Sequence, residues 1–439
     1  MDLLRVRGER RRRWRARHRR RTEPVGWLWR RRDKAHQLAN GNGNGNVNGM
    51  GAAQGLQLQD TAELAVTRSA RAVSGAVGGE AGHNTTLVLV RHRRVTRLMV
   101  MILAMVMLAV AAALLVALGS YRHYPVAAVL PPEPEQQENA IWLGYRWFSG
   151  NFSDTDLLQL VERVQYHRFG YLLIYAGALD ASGKLADARG EGLGRLLGAL
   201  HLAGYQGKVL AWVGGKNADF GPGLDLENAA VRQEITQTIA SLMVGNLLDG
   251  VHLDIQPIRS GDPFFLTLLG EIRAKGLLPG QVLSVAVRPL RPGWIPGVLR
   301  SDLYTTDYLR AVASQVDQLA VLTYDSALPL PGLYQRWLER QVDQVVAVVA
   351  EGVRERQEGS GSDRGGFSLL FTVPSFEEPR FNHWPVAENV ATASQALVAS
   401  FAWLRGKGEL PPQLKMGYSL YAEWTTDETE WQALGHLWS

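Results

Sequence analysis

The chain has 439 residues, 46% of them hydrophobic, so it can hold one large domain with appended segments. It has no cysteine, which excludes disulfides, thiolate metal sites and a cysteine nucleophile. Charge is segregated, because residues 1–97 carry 21 Lys and Arg against 7 Asp and Glu, leaving 26 basic and 35 acidic residues in the remainder. This acidic remainder argues against nucleic-acid binding by the main body, and no specific nucleic-acid partner is expected.

Residues 1–97 have the composition of a largely disordered cytoplasmic tail. Within them, residues 5–34 are rich in Arg with Trp interspersed, a composition that suits either a solvated tail or adhesion to anionic lipid or nucleic acid. Residues 40–49 repeat Gly and Asn and have almost nothing to bury, which indicates a flexible linker.

Residues 98–118 are uniformly apolar, without charge, Gly or Pro. About 20 such residues cross a bilayer as a helix, and the cluster of Arg residues at 91–97 places the preceding end in the cytoplasm. The sequence therefore predicts a single-pass signal anchor in the cell membrane with an extracytoplasmic C-terminal body. A cleaved signal peptide and a buried core helix are the alternatives. Residues 119–139 contain three closely spaced Pro residues with Glu and Gln, which predicts a stiff spacer.

From residue 140 to 439, strand-like apolar runs alternate with amphipathic helical stretches, the pattern of βα units. The predicted strands are 141–147, 170–176, 208–213, 249–256, 282–287, 317–324, 367–373 and 414–420. The predicted helices are 154–167, 191–203, 228–246, 263–275, 333–352 and 389–405. Eight strands predict a (β/α)8 TIM barrel, an α/β fold whose site lies at the carboxyl ends of the strands. An open doubly wound sheet is the alternative, but no Gly-rich phosphate-binding turn follows the first strand.

The most informative segment is 249–257, Asp-Gly-Val-His-Leu-Asp-Ile-Gln-Pro. Side chains on a strand point to opposite faces in turn, so His252, Asp254 and Gln256 share one face and three apolar residues share the other. Polar groups on a buried face are costly unless they are bonded or used. The polar face of this strand is therefore predicted to line a pocket.

This segment resembles the fourth-strand signature of family 18 glycoside hydrolases, the chitinases and relatives, Asp-Gly-x-Asp-x-Asp-x-Glu. Asp249, Gly250 and Asp254 match it, His252 replaces the middle Asp, and Gln256 stands where the family keeps its catalytic Glu. Three further segments agree in order and spacing. Residues 211–215 resemble the third-strand Ser-x-Gly-Gly, residues 322–325 resemble the sixth-strand Met-x-Tyr-Asp, and residues 418–424 lie where the last strand delivers a Trp.

The resemblance implies a substrate-assisted reaction, in which the Glu protonates the glycosidic oxygen and the acetamido oxygen of the sugar attacks the anomeric carbon. It implies that Asp254 orients the acetamido group, that Tyr324 hydrogen-bonds it, that Asp325 is the acid beside Tyr324, and that Trp424 is the floor of the sugar site. Gln256 has no acidic proton, and general acid catalysis contributes roughly 10²–10⁴-fold. The resemblance thus predicts that the standard chemistry is disabled.

Several of these residues also have structural interpretations. Asp249 before a Gly is typical of a turn that stabilises the start of a strand. His252 fits a hydrogen-bonded core histidine better than a ligand, and neither a metal site nor a cofactor is predicted. Trp212 and Trp424 either fill the barrel mouth or stack on pyranose rings.

Three functions remain open. The first is a membrane-anchored pseudoenzyme that binds amino-sugar glycans, such as a polysaccharide or a peptidoglycan-type polymer, without cleaving them. The second is an active glycosidase on cell-wall or exopolysaccharide glycans with a relocated acid, Glu423 or Glu377. The third is a non-catalytic scaffold in the cell envelope. The candidate catalytic residues are Asp254, Gln256, Tyr324, Asp325 and Glu423, and the candidate substrate-binding residues are Trp212, His252, Trp424 and Glu377.

Overall fold

The structure is a computed structural model that describes residues 97–111, 138–293, 302–360, 365–408 and 410–438. The chain divides into two compact units, Met1–Ala113 and Leu114–Ser439. In the first unit, residues 97–111 form a helix. None of the helices in the described part of the chain has both the length and the apolar character needed to cross a membrane. The predicted basic tail up to residue 96, residues 112–118 of the predicted anchor and residues 119–137 of the spacer lie outside the described residues.

The second unit is a closed barrel of eight parallel strands, each paired with the next along the chain and the last with the first. The predicted TIM barrel is therefore confirmed, and the open sheet is wrong. Strands β1 to β8 are, in order, Ala140–Leu143, Tyr171–Ala178, Lys208–Lys216, Gly250–Gln256, Val282–Val287, Gln318–Val321, Phe367–Pro374 and Leu414–Tyr421.

Helices surround the barrel and connect its strands. Numbered within this unit, α1 to α9 are Tyr145–Ser149, Asp154–Tyr166, Leu193–Leu202, Ala229–Asn246, Pro263–Glu271, Thr306–Ala313, Pro331–Ser360, Val390–Lys407 and Glu428–Trp438. A π-helical turn, Ile272–Gly276, extends α5. The six predicted helices are confirmed with shifted ends, whereas α1, α6 and α9 were not predicted.

Two strands end earlier than the sequence predicts. β1 stops at Leu143, because Gly144 precedes α1, which buries Trp147 instead of continuing the ladder. β6 stops at Val321, and hydrogen bonds that involve side chains hold the residues that follow it. The Thr323 hydroxyl donates a hydrogen bond to the carbonyl oxygen of Thr372 (2.7 Å), and the Tyr334 hydroxyl donates to the carbonyl oxygen of Thr323 (2.7 Å).

The alternation along β4 is borne out by the packing. Val251, Leu253 and Ile255 belong to the apolar core between strands and helices, where burial removes apolar surface from water. Asp249, just before β4, accepts a hydrogen bond from the backbone N–H of Val209 (2.7 Å) through its carboxylate. This contact confirms its structural interpretation, because it ties the start of β4 to β3.

Candidate functional site

His252 lies deepest on the polar face of β4. Its Nδ1 is 2.6 Å from the hydroxyl oxygen of Ser284, which itself donates to the side-chain oxygen of Gln318. Because the single hydroxyl proton of Ser284 is used in that bond, Nδ1–H of His252 must donate. Burial lowers the pKa of His252 to about 3, so the ring is neutral. His252 is therefore a hydrogen-bonded core residue, as its structural interpretation predicted. Its ring has no exposed surface with which to contact a substrate.

Asp254 follows on the same face, nearer the carboxyl end of β4. The indole N–H of Trp212 donates to its carboxylate (3.3 Å). Burial raises the pKa of Asp254 to about 6, while the Trp212 hydrogen bond and the positive charge of Arg288 work in the opposite direction. A carboxyl group with this pKa is mostly ionised at pH 7 and becomes protonated in mild acid.

Gln256 ends the polar face. Its Nε2 donates to the carbonyl oxygen of Ala286 (2.9 Å), and because a carbonyl can only accept, this bond fixes which end of the amide is nitrogen. The amide oxygen, Oε1, is buried and has no hydrogen-bond partner. Position 256 thus carries a buried acceptor without a partner and no acidic proton.

Aromatic rings form one wall of the site. Trp212 and Trp424 are nearly parallel, with ring centroids 6.4 Å apart and an interplanar angle of 9°. Tyr421 lies edge-on to Trp424 (5.9 Å) and stacks on Tyr324 (5.6 Å). A Cβ on Gly144 would lie 3.3 Å from the Trp424 ring, so the glycine before α1 permits this close approach. Trp212 is buried in the wall, whereas Trp424 stays partly exposed.

Tyr324 and Asp325 follow the last residues of β6. Burial, together with the charges of Asp254 and Asp325 and the nearby Tyr421, raises the pKa of Tyr324 well above its usual value, so its phenol stays protonated and can donate a hydrogen bond. Burial also raises the pKa of Asp325, against the opposing charge of Arg288. These residues and Arg288 line a cavity of about 60 Å³.

Arg288 and Tyr421 are site residues that the sequence analysis missed. Arg288 comes directly after β5, and its charge acts on both Asp254 and Asp325. Its position in the sequence could have identified it, since a polar residue at the carboxyl end of a barrel strand faces the site. Tyr421, the last residue of β8, carried the same signal.

The structure does not bring Glu423 or Glu377 to Asp254 through any described hydrogen bond. One carboxylate oxygen of Glu423 accepts from Arg146 (2.6 Å) and the other from the indole N–H of Trp147 (3.3 Å). Glu377 is exposed on the loop after β7. Neither carboxylate therefore has a described contact that would make it a replacement acid for Gln256.

A second cleft, of about 290 Å³, opens beside the loops that follow β3 and β4. It contains none of the candidate residues. Its lining includes Asn217, Asp219, Asp225, Arg259 and Asp262. An ion pair between Arg259 and Asp219 (3.1 Å) partly neutralises it.

One group of side chains in the described part of the chain has the spacing of a metal site. Ligand atoms of Asp325, His383 and Glu388 lie within 4.8 Å of one another. Glu388 precedes α8, and His383 lies in the loop between β7 and α8. Glu388 was not a candidate from the sequence.

Comparisons with solved structures return chitinases and a spore enzyme. The spore cortex-lytic enzyme SleL of Bacillus megaterium is 12% identical over 71% of this chain and 76% of its own, with a TM-score of 0.47. The group IV chitinase of Ostrinia furnacalis is 15% identical over 69% and 99%, with a TM-score of 0.44. A chitinase of Chromobacterium violaceum is 17% identical over 68% and 98%, with a TM-score of 0.41.

No curated protein sequence matches the chain at a significant level. A family model does match, over residues 173–430, which is more than half of the chain. The matched range contains β3 to β8 with the polar face of β4 and the residues that follow β6 and β8. By this match, the chain belongs to the glycosyl hydrolases family 18.

Proposed function

We propose that the barrel binds glycans containing amino sugars in the pocket around Asp254, Gln256, Tyr324 and Trp424, without cleaving them by the substrate-assisted route of its family. The observation that carries this proposal is the amide of Gln256. Its nitrogen donates to the Ala286 carbonyl and its buried oxygen has no partner, so the position carries a neutral amide that has no acidic proton to transfer.

The other groups of the pocket suit an acetamido substituent. Such a group offers one N–H donor and one carbonyl acceptor. An ionised Asp254 accepts from the N–H, and the protonated phenol of Tyr324 donates to the carbonyl oxygen, in agreement with the family resemblance. The partly exposed ring of Trp424 gives the apolar face of a pyranose a surface to stack on.

A relocated acid has less support. Glu423 would have to leave both Arg146 and Trp147, and Arg146 would keep only its longer ion pair with Asp156 (3.4 Å) among its described ion pairs. Glu377 would have to reach inward from an exposed position. We therefore favour binding without standard hydrolysis over an active glycosidase.

We further propose that residues 98–118 anchor the chain in the cell membrane, with the N-terminus cytoplasmic and the barrel outside. The uncharged apolar run and the Arg cluster before it support this arrangement. In this location the barrel meets a polysaccharide or a peptidoglycan-type polymer of the envelope. Membrane fractions of expressing cells should retain the full chain at high salt and alkaline pH, and deletion of 98–118 should release it. Recovery of the undeleted chain in the salt wash would contradict the anchor.

Calorimetry on the purified full chain in detergent tests the binding proposal. We expect N-acetylglucosamine oligomers to bind while mass spectrometry detects no shorter products. Trp424→Ala should weaken binding by up to about tenfold, since aromatic contacts contribute about 0.5–1.5 kcal/mol. Trp403→Ala is the matched control, because Trp403 lies exposed on α8. No binding across amino-sugar oligomers and peptidoglycan fragments would refute the proposal, as would shorter products that disappear in Asp254→Asn.

A further inference from the structure

The buried carboxylate of Glu388 joins two loops at the barrel mouth. One oxygen accepts from the backbone N–H of Asp325 (2.8 Å). The other accepts from the backbone N–H of Ser326 (3.0 Å) and from its hydroxyl (2.5 Å). Asp325 and Ser326 belong to the loop after β6, whereas Glu388 belongs to the loop after β7. A single side chain therefore fixes the backbone beside Tyr324.

The backbone held in this way is in an uncommon conformation. Asp325 has a φ of 59° and Ala327 a φ of 62°, both in the left-handed region that residues with a Cβ seldom adopt. The N–H of Ala327 donates to the carbonyl oxygen of Asn382 (2.8 Å), again from the loop after β7. Such conformations persist when the surroundings over-determine them. Here the hydrogen bonds from the loop after β7 hold the backbone of Asp325 and Ala327 in this conformation.

His383 adds a charge to this arrangement. Its Nε2 faces the carbonyl oxygen of Phe376 (3.1 Å) and its Nδ1 faces Glu388 (2.7 Å). Both neighbours are acceptors, and a ring with a proton on each nitrogen, which is a cation, satisfies both of them. Nδ1 lies 3.8 Å from a carboxylate oxygen of Asp325. The buried His383 cation is thus shared by two carboxylates.

A metal ion does not explain the cluster. Glu388 receives four hydrogen bonds, two on each oxygen, which uses the lone pairs of the carboxylate. Both nitrogens of His383 also lie within hydrogen-bond distance of an acceptor, Glu388 for Nδ1 and the Phe376 carbonyl for Nε2. The three side chains have the spacing of a metal site, but hydrogen bonds within the protein already occupy both oxygens of Glu388.

We propose that Glu388 and His383 are a positioning pair, which fixes Asp325 and its carboxyl group at the barrel mouth for glycan binding. Glu388 sets the backbone of Asp325, and His383 supplies the neighbouring positive charge. The part of this inference that concerns the glycan rests on the proposed function. The part that concerns Asp325 stands independently of it.

Charged and titratable groups from several elements face Asp325, among them the phenols of Tyr324 and Tyr421. Arg288 comes from the end of β5, Arg380 and His383 come from the loop after β7, and Glu388 lies before α8. The three cations lower the pKa of Asp325 and Glu388 raises it, beside the larger effect of burial. Removing the His383 cation while keeping a side chain that can hydrogen-bond should therefore raise the pKa of Asp325.

Two measurements on the full chain test the pair without any glycan. In Glu388→Gln, we expect the amide hydrogens of Asp325 and Ser326 to exchange at least tenfold faster than in the unaltered protein, while those of β6 keep their protection. In His383→Gln, NMR titration of the Asp325 carboxyl should show a raised pKa. Glu351→Gln, an exposed carboxylate on α7, is the matched control and should change neither.

Unchanged exchange at Asp325 together with an unchanged titration would overturn the proposal. If Glu388→Gln unfolds, Ser326→Ala gives a milder test, because it keeps the carboxylate and removes only the two hydroxyl contacts, to Glu388 (2.5 Å) and from the Leu328 N–H (3.3 Å). Calorimetry with N-acetylglucosamine oligomers then separates the two ideas. No binding by the unaltered protein contradicts the proposed function alone, because the exchange and titration results stand. Equal binding by the unaltered protein and both variants overturns the positioning role.

Discussion

Replacing Gln256 by Glu changes one functional group on β4 at nearly constant volume. At present Nε2 donates to the carbonyl oxygen of Ala286 (2.9 Å). An ionised carboxylate there would face that carbonyl without a proton, whereas a protonated carboxyl would keep the hydrogen bond. Asp254 lies two residues earlier on the same face and adds a like charge. Both effects favour the protonated form, so the pKa of the introduced carboxyl should be raised.

The size of the effect follows from the hydrogen bond. An unmade bond at a buried group costs about 1–3 kcal/mol, so Gln256→Glu at pH 8 should be less stable than the unaltered protein by that amount. An unfolded Glu has a pKa of about 4.3. Because the folded pKa lies above this value, the loss is absent below about pH 4.3 and grows as pH rises through the folded pKa. The protonated form is also the one that acts as general acid, an effect of about 10²–10⁴-fold.

Denaturant unfolding and oligosaccharide hydrolysis, both followed from pH 4 to pH 8, test this reasoning. We expect Gln256→Glu to release shorter N-acetylglucosamine oligomers in mild acid, and the added change Asp254→Asn to abolish that release. An equal loss of stability at pH 4 and pH 8 would refute the hydrogen-bond reasoning. Unimpaired oligomer binding with no hydrolysis at any pH would refute the idea that the pocket lacks only its acid.

Three further predictions concern single side chains. Asp254→Asn should raise the free energy of unfolding above that of the unaltered protein at pH 8 and not at pH 3. Burial raises the pKa of Asp254 from 3.8 to about 6, so ionisation of this carboxyl opposes folding as pH rises through that interval. Two pKa units correspond to about 3 kcal/mol, and partial solvent access of the side chain reduces the expected gain to about 1–3 kcal/mol. Glu423→Gln should lower the free energy of unfolding by about 1–2 kcal/mol, since it weakens the pair with Arg146, whose side chain is 36% exposed and therefore screened; an unchanged denaturation midpoint would show that the pair contributes nothing. Asp249→Ala should cost about 1–3 kcal/mol by leaving the Val209 N–H without its acceptor, which thermal unfolding can measure against an Ala substitution at an exposed surface acid.

The fold could be predicted because each strand leaves a local signature. Along β4, apolar and polar residues alternate with period two, and comparable apolar runs mark the other seven strands. The errors fall where tertiary contacts outweigh that signature. Residues 144–147 have the aromatic composition of a strand, yet Trp147 finds its buried place and its hydrogen bond to Glu423 only from a helix. The short helices α1 and α6 are each less than three turns long and give little periodicity to detect.

The site was predictable only in part, because its polar residues meet across long sequence separations. Position on β4 indicates that Asp254 and Gln256 share a face, but nothing local indicates Trp212 as the donor to Asp254, 42 residues away. The contact between Glu388 and the backbone of Asp325 spans 63 residues. The loops that bring such groups together follow no periodic pattern, so only the closed barrel reveals these contacts.

The amide at position 256 changes the electrostatics of the whole pocket. Two carboxyl groups on one face of β4 would repel each other when ionised, and one of them would retain a proton that could be passed to a substrate. With Gln256, Asp254 is the one carboxyl group left on that face, and burial, the Trp212 hydrogen bond and the charge of Arg288 set its ionisation. Asp325 lies in a separate environment, where burial raises its pKa and the charges of Arg288, Arg380 and His383 act in the opposite direction. With no second carboxyl group beside it on β4, Asp254 has no partner there with which to share a proton, in agreement with the proposal that the pocket holds a glycan without cutting it.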